Sequence, residues 1–559
     1  MKTIELSYQL AELPSAQHRA GLAGLILMVR EVHHQELLDN YENSTLKFSS
    51  EPDEYGLCLE LNLEGLKALF DLTYKAFNEY RWSTQKDKDK DYNEDEIRER
   101  ETQDKKGKIK KITEYRYSVV VPQGAFLPYW DNSDDDENNG LWIKLWRELM
   151  WNIIRDKPAS RSPFNKRLTE ENNYYQDTQN VWQSLKNTDK NIGQSGTYYL
   201  GAAASTAENI PQKDIIRYQF LLHFAPFVFQ VYCPSILDKE GKRDNSKKSY
   251  AVIVPDVANL VYFCDEFQDV LENRSDQVFG YRPREALIDI PQEGALDVLR
   301  LIRERIAQQT GSQTLEDLIL GAEVIHAEKV GNNVKFISIS YVEPITDKVD
   351  RYKDIHDLYW CPWFRKQRLL NLVNSPIDSE GNLDEIPAWT GFDDLLSRIP
   401  RKWLEHRYFS HDARQFFIKE ISIQGETTVN DQTAKIRDNA NIVYKVCQSY
   451  VVKKLKSKYD IDWKDCQGNA KKENQYNETK TKIANEAFLA IRSRTESQAF
   501  IEYFVSILYP FIKKDEFSQF AEDLFNKTDE IRALTLLALS SQFSSSKKDE
   551  SQDNKNQAA

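Results

Sequence analysis

The chain has 559 residues, 40% hydrophobic, 29% charged and 12% aromatic, which fits a folded protein of two or three domains and excludes disorder over most of its length. Its net charge of −13 excludes a uniformly basic nucleic-acid coat but leaves room for local cationic patches. The cysteines at 58, 233, 264, 361, 447 and 466 form no C-x-x-C pair, which points to a reducing cytoplasm and to no structural zinc.

A short strand over 3–8 precedes a helix that Pro14 and Ser15 open, with Ser15 as its N-cap. That helix, in LPSAQHRAGLAGLILMVREVHHQELLDN, is apolar nearly all round in its middle and is expected in the core. The apolar run 20–29 is far below the roughly 20 residues that span a bilayer, and no basic segment precedes it as in a secretion signal. The pattern predicts a strand over 57–63 and an amphipathic helix over 64–80. From 86 to 111 charges of both signs mix in KDKDKD, NEDEIRERE and KKGKIKK, as in a solvated helix or hairpin. LWIKLWRELMWNII, 141–154, is a strong amphipathic helix whose three tryptophans are most simply core.

It runs into RDKPASRSPFNKR, 155–167, read as a loop stiffened by Pro158 and Pro163. Arg155, Lys157, Arg161, Lys166 and Arg167 stand there with no acid after Asp156, which suits a grip on nucleic-acid phosphates; a purely structural loop is the plain alternative.

The sharpest change of character lies in 193–234. Gly193, Gly196, Gly201, Ala202, Ala203, Ala204 and Ser205 carry little bulk, so the backbone there can approach a partner closely. The dense apolar run from Phe220 to Tyr232 follows, broken by Pro226 and read as a buried strand or two short ones. A slender loop on a rigid scaffold is a common binding device, though a tight turn entering a core strand has the same pattern. SYAVIVPDV is a further buried strand, 264–273 is helical, a long helix ends at Gln309, and 321–343 is a hairpin turned at Gly331 and Asn332.

From about Trp403 only helices are expected, over 411–423, 431–458, 477–495, 497–511 and 515–539, a bundle of four or five. The fold class is thus α+β: a mixed domain over 1–402, an all-α bundle over 403–540 and a disordered tail over 541–559. Between 451 and 500, eleven Lys and Arg stand against seven Asp and Glu. Lys453, Lys454, Lys456, Lys458, Lys471, Lys472, Arg492 and Arg494 are candidates for tracking a nucleic-acid strand without reading its bases; solvated bundle lysines are the alternative.

No phosphate loop, dinucleotide fingerprint, H-E-x-x-H or G-x-S-x-G is present. His326-Ala327-Glu328 lacks the P-C-x-x-C of a zinc deaminase, His411-Asp412 has no second histidine pair, and Cys361-Pro362 has no partner at metal spacing. The expectation is a protein without catalytic residues, metal or cofactor.

Four stretches together resemble a known family: LPSAQHRAGLAGL (13–25), YLGAAASTAENIP (199–211), LLHFAPFVFQVYCP (221–234) and GYRPREALIDIPQEGALD (280–297). They are similar to the large subunit of type I CRISPR surveillance complexes (Cascade), the eighth CRISPR-associated protein family, in its type I-B or MYXAN branch. The resemblance implies a non-enzymatic DNA-binding subunit in the cytoplasm, with no membrane role. Its N-terminal domain recognises a protospacer-adjacent motif in duplex DNA and starts strand opening, and its bundle holds the displaced strand in the R-loop. The implied partners are guide RNA, target DNA, the backbone, foot and small subunits, and a helicase-nuclease or a transposition adaptor, all in antiviral defence. Beside that role, Asn165, Gln194, Ser195, Thr197, Tyr198, Ser205 and Asn209 are candidates for reading the motif, because their small polar side chains suit a groove. Met1, Met28 and Met150 are the only methionines, so a bundle made as a separate product would need a non-AUG start.

Overall fold

The computed structural model describes residues 2–86, 91–103, 109–130, 140–154, 158–170, 174–193, 200, 213–244, 249–275, 277–279, 282–308, 314–330, 333–379, 381–420, 431–512 and 517–543. They fall into two compact units, one of residues 1–234 and 248–346, the other of 235–247 and 347–559. The division at 346 replaces the one expected at 402. Segment 347–402 places its large side chains with the helices that follow: Phe364 packs on Phe409 and Phe416, and Phe392 on Phe416.

The first unit mixes sheets and helices. Strands β1 (Ile4–Gln9), β2 (Leu46–Ser50) and β3 (Gly56–Leu61) form an antiparallel sheet in the order β1–β3–β2, with Leu57, Leu59 and Leu61 alternating into the core. Strands β4 (Ala76–Ser83), β5 (Ile97–Gln103) and β6 (Ile109–Pro122) make a second sheet, ordered β4–β6–β5. β7 (Asn191–Gly193) pairs with β8 (Lys213–Ile215). After β9 (Gln230–Pro234) the chain leaves for the other unit through β10 (Ile236–Leu237) and β11 (Arg243–Asp244), then returns as β12 (Ser249–Val257). β13 (Val278–Phe279) and β14 (Arg282–Pro283) form a small ribbon. With β15 (Leu287–Ile288), β16 (Ile319–Val330) and β17 (Asn333–Val342), the main sheet runs β15–β9–β12–β16–β17, and only β15 joins it parallel.

The helices of this unit are α1 (Ala16–His34), α2 (Leu63–Thr73), α3 (Leu141–Leu149), α4 (Pro158–Thr169), α5 (Gln176–Leu185), α6 (Ile216–Leu221), α7 (Leu260–Glu272), α8 (Pro291–Gln308) and the single turn α9 (Leu315–Leu318). β12 is buried at all nine positions because both faces of the sheet are covered. Tyr250, Val252 and Val254 join the core that holds α1, while Gly294 of α8 rests against Ile253 and Tyr232. α1 also packs against the 221–224 segment. A Cβ on Gly21 would stand 2.6 Å from the Leu221 carbonyl oxygen, and one on Gly24 would collide with that of Phe224, so the AGLAGL run permits backbone to meet helix. The three tryptophans of 141–154 pack into this core and donate their indole N–H groups to backbone carbonyls: Trp142 to Ser275 at 3.1 Å, Trp146 to Pro226 at 2.8 Å and Trp151 to Val120 at 3.2 Å.

Three local readings change. The helix from 64 ends at Thr73, and Ala76–Ser83 is a strand because it pairs with β6 along its length, tertiary pairing overriding helical pattern. The segment read as a proline-stiffened loop is α4 over 158–169, with Pro158 at its first position, where no N–H is needed, and Pro163 inside. Phe164 draws it onto the core between Tyr74 and Trp151. The apolar run 220–232 is not one strand: α6 and a 3-10 turn at Ala225–Phe227 precede β9, since Pro226 fixes φ and offers no ladder donor.

The second unit is helical apart from the β10–β11 hairpin. Its helices are α10 (Thr346–Leu358), α11 (Pro362–Asn374), α12 (Phe392–Arg398), α13 (Arg401–Leu404), α14 (Phe409–Gln415), α15 (Asp431–Tyr459), α16 (Ala470–Arg492), α17 (Ser497–Ile507), α18 (Phe517–Asn526) and α19 (Thr528–Ser540). The helix expected over 515–539 breaks at Lys527. α19 is buried from Ile531 to Ser540 on every side, so the bundle is built around it. The fold continues past 540: Ser541 and Gln542 are buried, and Arg414 donates to the carbonyls of Ser541 and Phe543. The expected tail from 544 lies outside the described residues. A buried ion cluster braces the start of this unit, with Arg351 on Glu385 at 3.0 Å, and with Arg368 and the Tyr359 hydroxyl on Glu420. The inserted hairpin belongs here because Gly241, at φ +76°, turns against the Trp403 ring, and Glu240 pairs with Lys402 at 3.4 Å.

Two outcomes follow from this packing. Gly21→Ala, which on a free helix would stabilise, is expected to cost about 1–3 kcal/mol by overpacking against Leu221; a chemical denaturation curve of the variant that matches or exceeds the parent contradicts the contact. Burial, with Arg407, Lys242 and Arg243 close by, pushes the His406 imidazole down to about 4. The unfolded chain binds that proton near pH 6.5 and the folded chain only near 4, so stability is lost as pH falls through this window. His406→Gln should remove about 1–2 kcal/mol of the parent's loss between pH 7 and 5, read from denaturation midpoints at the two pH values.

Candidate nucleic-acid interface

The first turn of α1 carries three consecutive polar side chains, and each is spent on a different piece of the first unit. Gln17, fully buried, donates from Nε2 to the Leu200 carbonyl at 3.0 Å and accepts the Leu200 N–H on Oε1 at 2.9 Å. It thereby closes both backbone groups of one residue, as a strand neighbour would. His18 donates from Nε2 to the Asp214 carboxylate at 3.0 Å, both side chains 3% exposed, and its Nδ1 meets the Ser15 hydroxyl at 2.8 Å. Ser15 sits at the N-cap with extended backbone, yet its hydroxyl serves this imidazole instead of a helix N–H. Arg19 takes Asp256 with Nε and Nη2 and the Leu13 carbonyl with Nη1 at 3.0 Å, while the Tyr341 hydroxyl donates to the same Asp256.

The first two of these contacts hold residues beside or within the small-residue segment. β7 and β8 pair Gly193 with Lys213 and Ile192 with Asp214, so the two residues that flank 194–212 stand side by side. Gln17 holds Leu200 within that span, and His18 holds Asp214 at its end. The candidate readers Gln194, Ser195, Thr197, Tyr198, Ser205 and Asn209 lie outside the described residues. None of the three α1 side chains was singled out from sequence; the available signal was a polar triplet opening an otherwise apolar helix.

In the cationic segment, Arg155 and Lys157 lie outside the described residues, and the backbone of Arg161 lies in α4. Asn165 is exposed and Lys166 half-buried on that helix. Arg167 is corrected: its side chain is 6% exposed and bonded to Asp71 at 2.9 Å, Asp177 at 2.7 Å and the Thr178 hydroxyl at 3.1 Å. It also lies over the Tyr74 ring, and it ties α4 to α2 and α5 instead of facing phosphate.

In the second unit the bundle cations separate into two groups. Lys453, Lys454, Lys456 and Lys458 are exposed on the last turns of α15, and Lys471 and Lys472 are exposed on the first turn of α16, at the same end of the helical hairpin. The connection adds Lys464 and Trp463, which is 39% exposed and packs on Tyr476 at 4.9 Å. Lys456 pairs with Asp462 at 3.2 Å, an exposed contact of small weight. Arg492 and Arg494 do not belong to this group. Arg492 ends α16, about 30 Å along its axis from Lys472 at 1.5 Å per residue, and Arg494 lies two residues past it. Arg492 donates to the Ile399 carbonyl, and Arg494 donates to Ala490 and covers the Tyr503 ring at 4.6 Å. One exposed tryptophan among lysines at a hairpin tip, backed by the half-buried Tyr476, offers stacking beside charge, which charge counting along the sequence missed.

The pseudo-signals have structural partners. Asp412 accepts the backbone N–H groups of Trp360 and Cys361 at the start of α11 and is flanked by His411, and His326 meets the Ser249 hydroxyl at 2.8 Å. No helix among the described residues is long and apolar enough to cross a membrane.

Two family models lie end to end on this chain. One, described as the type I-B CRISPR Cas8b N-terminal domain, matches 49–312, and the other, the type I-B CRISPR Cas8b C-terminal domain, matches 319–542. The protein is therefore a large subunit of a CRISPR surveillance complex of the Cascade type. It belongs to the type I-B Cas8b family, as the four motif stretches led us to expect. No curated protein matches the sequence. The join between the models, at 313–318, precedes β16, whereas packing keeps the β16–β17 hairpin in the first unit.

Removing the Gln17 amide tests the clamp. Gln17→Leu keeps the shape but orphans two buried backbone groups and should cost about 2 kcal/mol. Exchange of the Leu200 amide should rise roughly 30-fold, the same energy expressed as an opening equilibrium. Unchanged protection at Leu200 in hydrogen–deuterium exchange refutes the clamp.

Proposed function

We propose that this chain recognises the protospacer-adjacent motif in duplex DNA, starts strand opening and stabilises the R-loop, as a non-catalytic subunit working in the cytoplasm in antiviral defence. Guide pairing reads the target sequence, and the protein reads only the short motif and the helix shape. The observation that carries this reading is the anchored base of the 194–212 segment. Its flanks are held by β7–β8, and Gln17 and His18 grip Leu200 and Asp214, so a slender reader has a rigid support.

In this reading Gln194, Ser195, Thr197, Tyr198, Ser205 and Asn209 meet base edges in a groove, with Asn165 beside them. Arg155, Lys157, Arg161 and Lys166 set the register on the phosphates, and Arg167 is withdrawn from that list. Lys453, Lys454, Lys456, Lys458, Lys471 and Lys472 hold the backbone of the displaced strand. The neighbours are guide RNA, target DNA and the backbone, foot and small subunits, and the assembled complex recruits a helicase-nuclease or a transposition adaptor.

The test uses the guide-loaded complex and short duplexes that carry or lack the motif, over 50–300 mM salt. Arg161→Ala with Lys166→Ala should weaken binding to the motif-bearing duplex and flatten the dependence of log K on log salt by about 1.8, two phosphate contacts. Equal affinity and slope for parent and variant would remove these residues from the interface. Failure of the intact complex to prefer the motif-bearing duplex would remove the motif-reading role itself.

A further inference from the structure

The sequence between 76 and 122 mixes charges of both signs, but the register of the β4–β6–β5 sheet sorts them by face. Residues opposite each other in an antiparallel pair share a face, and alternate residues along each strand share it too. Trp82 stands opposite Arg116, Arg98 opposite Glu114, and Thr102 opposite Lys110, which puts Tyr80, Trp82, Arg98, Arg100, Lys110 and Arg116 on one face. Glu114 is the only acid there among the paired residues. Glu79, Glu99 and Glu101 all fall on the opposite face, which also carries Tyr115, covered there by the Tyr92 ring at 5.0 Å.

On the cationic face, aromatic rings and guanidinium groups are layered. Arg98 lies over Trp82 at 4.4 Å and Arg116 over Tyr80 at 4.0 Å, and Tyr80 is 57% exposed. Arg98 is held in place by Glu114 at 2.7 Å. Arg100 and Lys110 are exposed and have no carboxylate partner among the described residues. Away from its base the sheet is solvated, so this face is available to a partner.

We propose that this face binds a single-stranded stretch of nucleic acid, with phosphates on Arg100, Lys110 and the outer edges of Arg98 and Arg116, and bases stacked on Tyr80 and on the guanidinium layers. Four cations against one acid call for a polyanion, and flat arginine–aromatic layers call for exposed π-faces. A duplex hides its base faces inside the stack, whereas an unpaired strand presents them. The inference does not rest on motif reading, since its test contains neither guide nor motif.

The full-length chain is titrated by fluorescence anisotropy with labelled 15-mers of dT and of U, and with a 15-bp duplex, over 50–300 mM salt. Arg98→Gln/Arg100→Gln/Lys110→Gln should weaken single-strand binding at least tenfold at low salt and flatten the log–log salt slope by about 2, at roughly 0.7 per phosphate contact. Tyr80→Ala should weaken it about tenfold with the slope unchanged, and Tyr80→Phe should restore it. Arg81→Gln/Lys111→Gln, on the acidic face, is the matched control and should change neither affinity nor slope. A preference for U over dT assigns the site to RNA, and the reverse assigns it to a DNA strand. Equal losses from the two faces, an unchanged slope in the triple variant, or a loss confined to the duplex overturns the proposal.

Discussion

Satisfying two adjacent polar side chains in the interior, Gln17 and His18, with the half-buried Arg19 beside them, is the constraint on which the first unit depends. Gln17, His18 and Arg19 project from one helical turn at about 100° to each other, so they necessarily reach three different neighbours. Those neighbours are Leu200, Asp214 and Asp256, about 180 to 240 positions away in sequence. A buried polar group without a partner costs more than a formed bond returns, so the three contacts act less as attraction than as a requirement on where those segments go. Gly21 and Gly24, on the next turn, admit the 221–224 backbone. One stretch of thirteen residues, LPSAQHRAGLAGL, therefore aligns the central strand β12 of the main sheet, Leu200 and Asp214, and the apolar turn that precedes β9.

Much of the fold was legible where one physical signal dominated. The all-round apolar middle of α1, the continuous run of β12, the alternation of β16 and β17 and the amphipathic tryptophan helix each had a pattern that admits few alternatives. Readings went astray where pairing or docking decided. Ala76–Ser83 continues a helical pattern but joins β6, and the 158–169 segment contains two prolines yet is held as helix by Phe164. The central position of α19 had a local trace, in its unbroken buried run, but its role depends on which helices surround it.

The candidate site divides in the same way. Clusters of cations can be counted in a sequence, but their use cannot. Arg167 and Arg492 have the same charge as Lys166 and Lys472, and they spend it on internal carboxylates and carbonyls. Arginine's planar fork suits such bidentate internal work, while lysine's hydrated point charge stays at the surface. The sorting of charge in the β4–β6–β5 sheet is the converse case: an unremarkable alternating string becomes two faces of different sign once register is known. Net acidity of the whole chain and a cationic surface are compatible because a partner meets a face, not a sum.

The excursion of the chain through β10 and β11 bears on how this protein comes apart. Residues 235–247 are covalently flanked on both sides by the first unit, while the aromatic wall they cover, Trp363 and Trp403, is encoded beyond 347. A protease nick near 346 therefore yields two fragments that still clasp one another through the hairpin. A gene fragment starting at 347 yields a polypeptide with bare indole rings where the hairpin belongs. Cutting the molecule into independent halves takes three breaks in the backbone, at 234, 247 and 346.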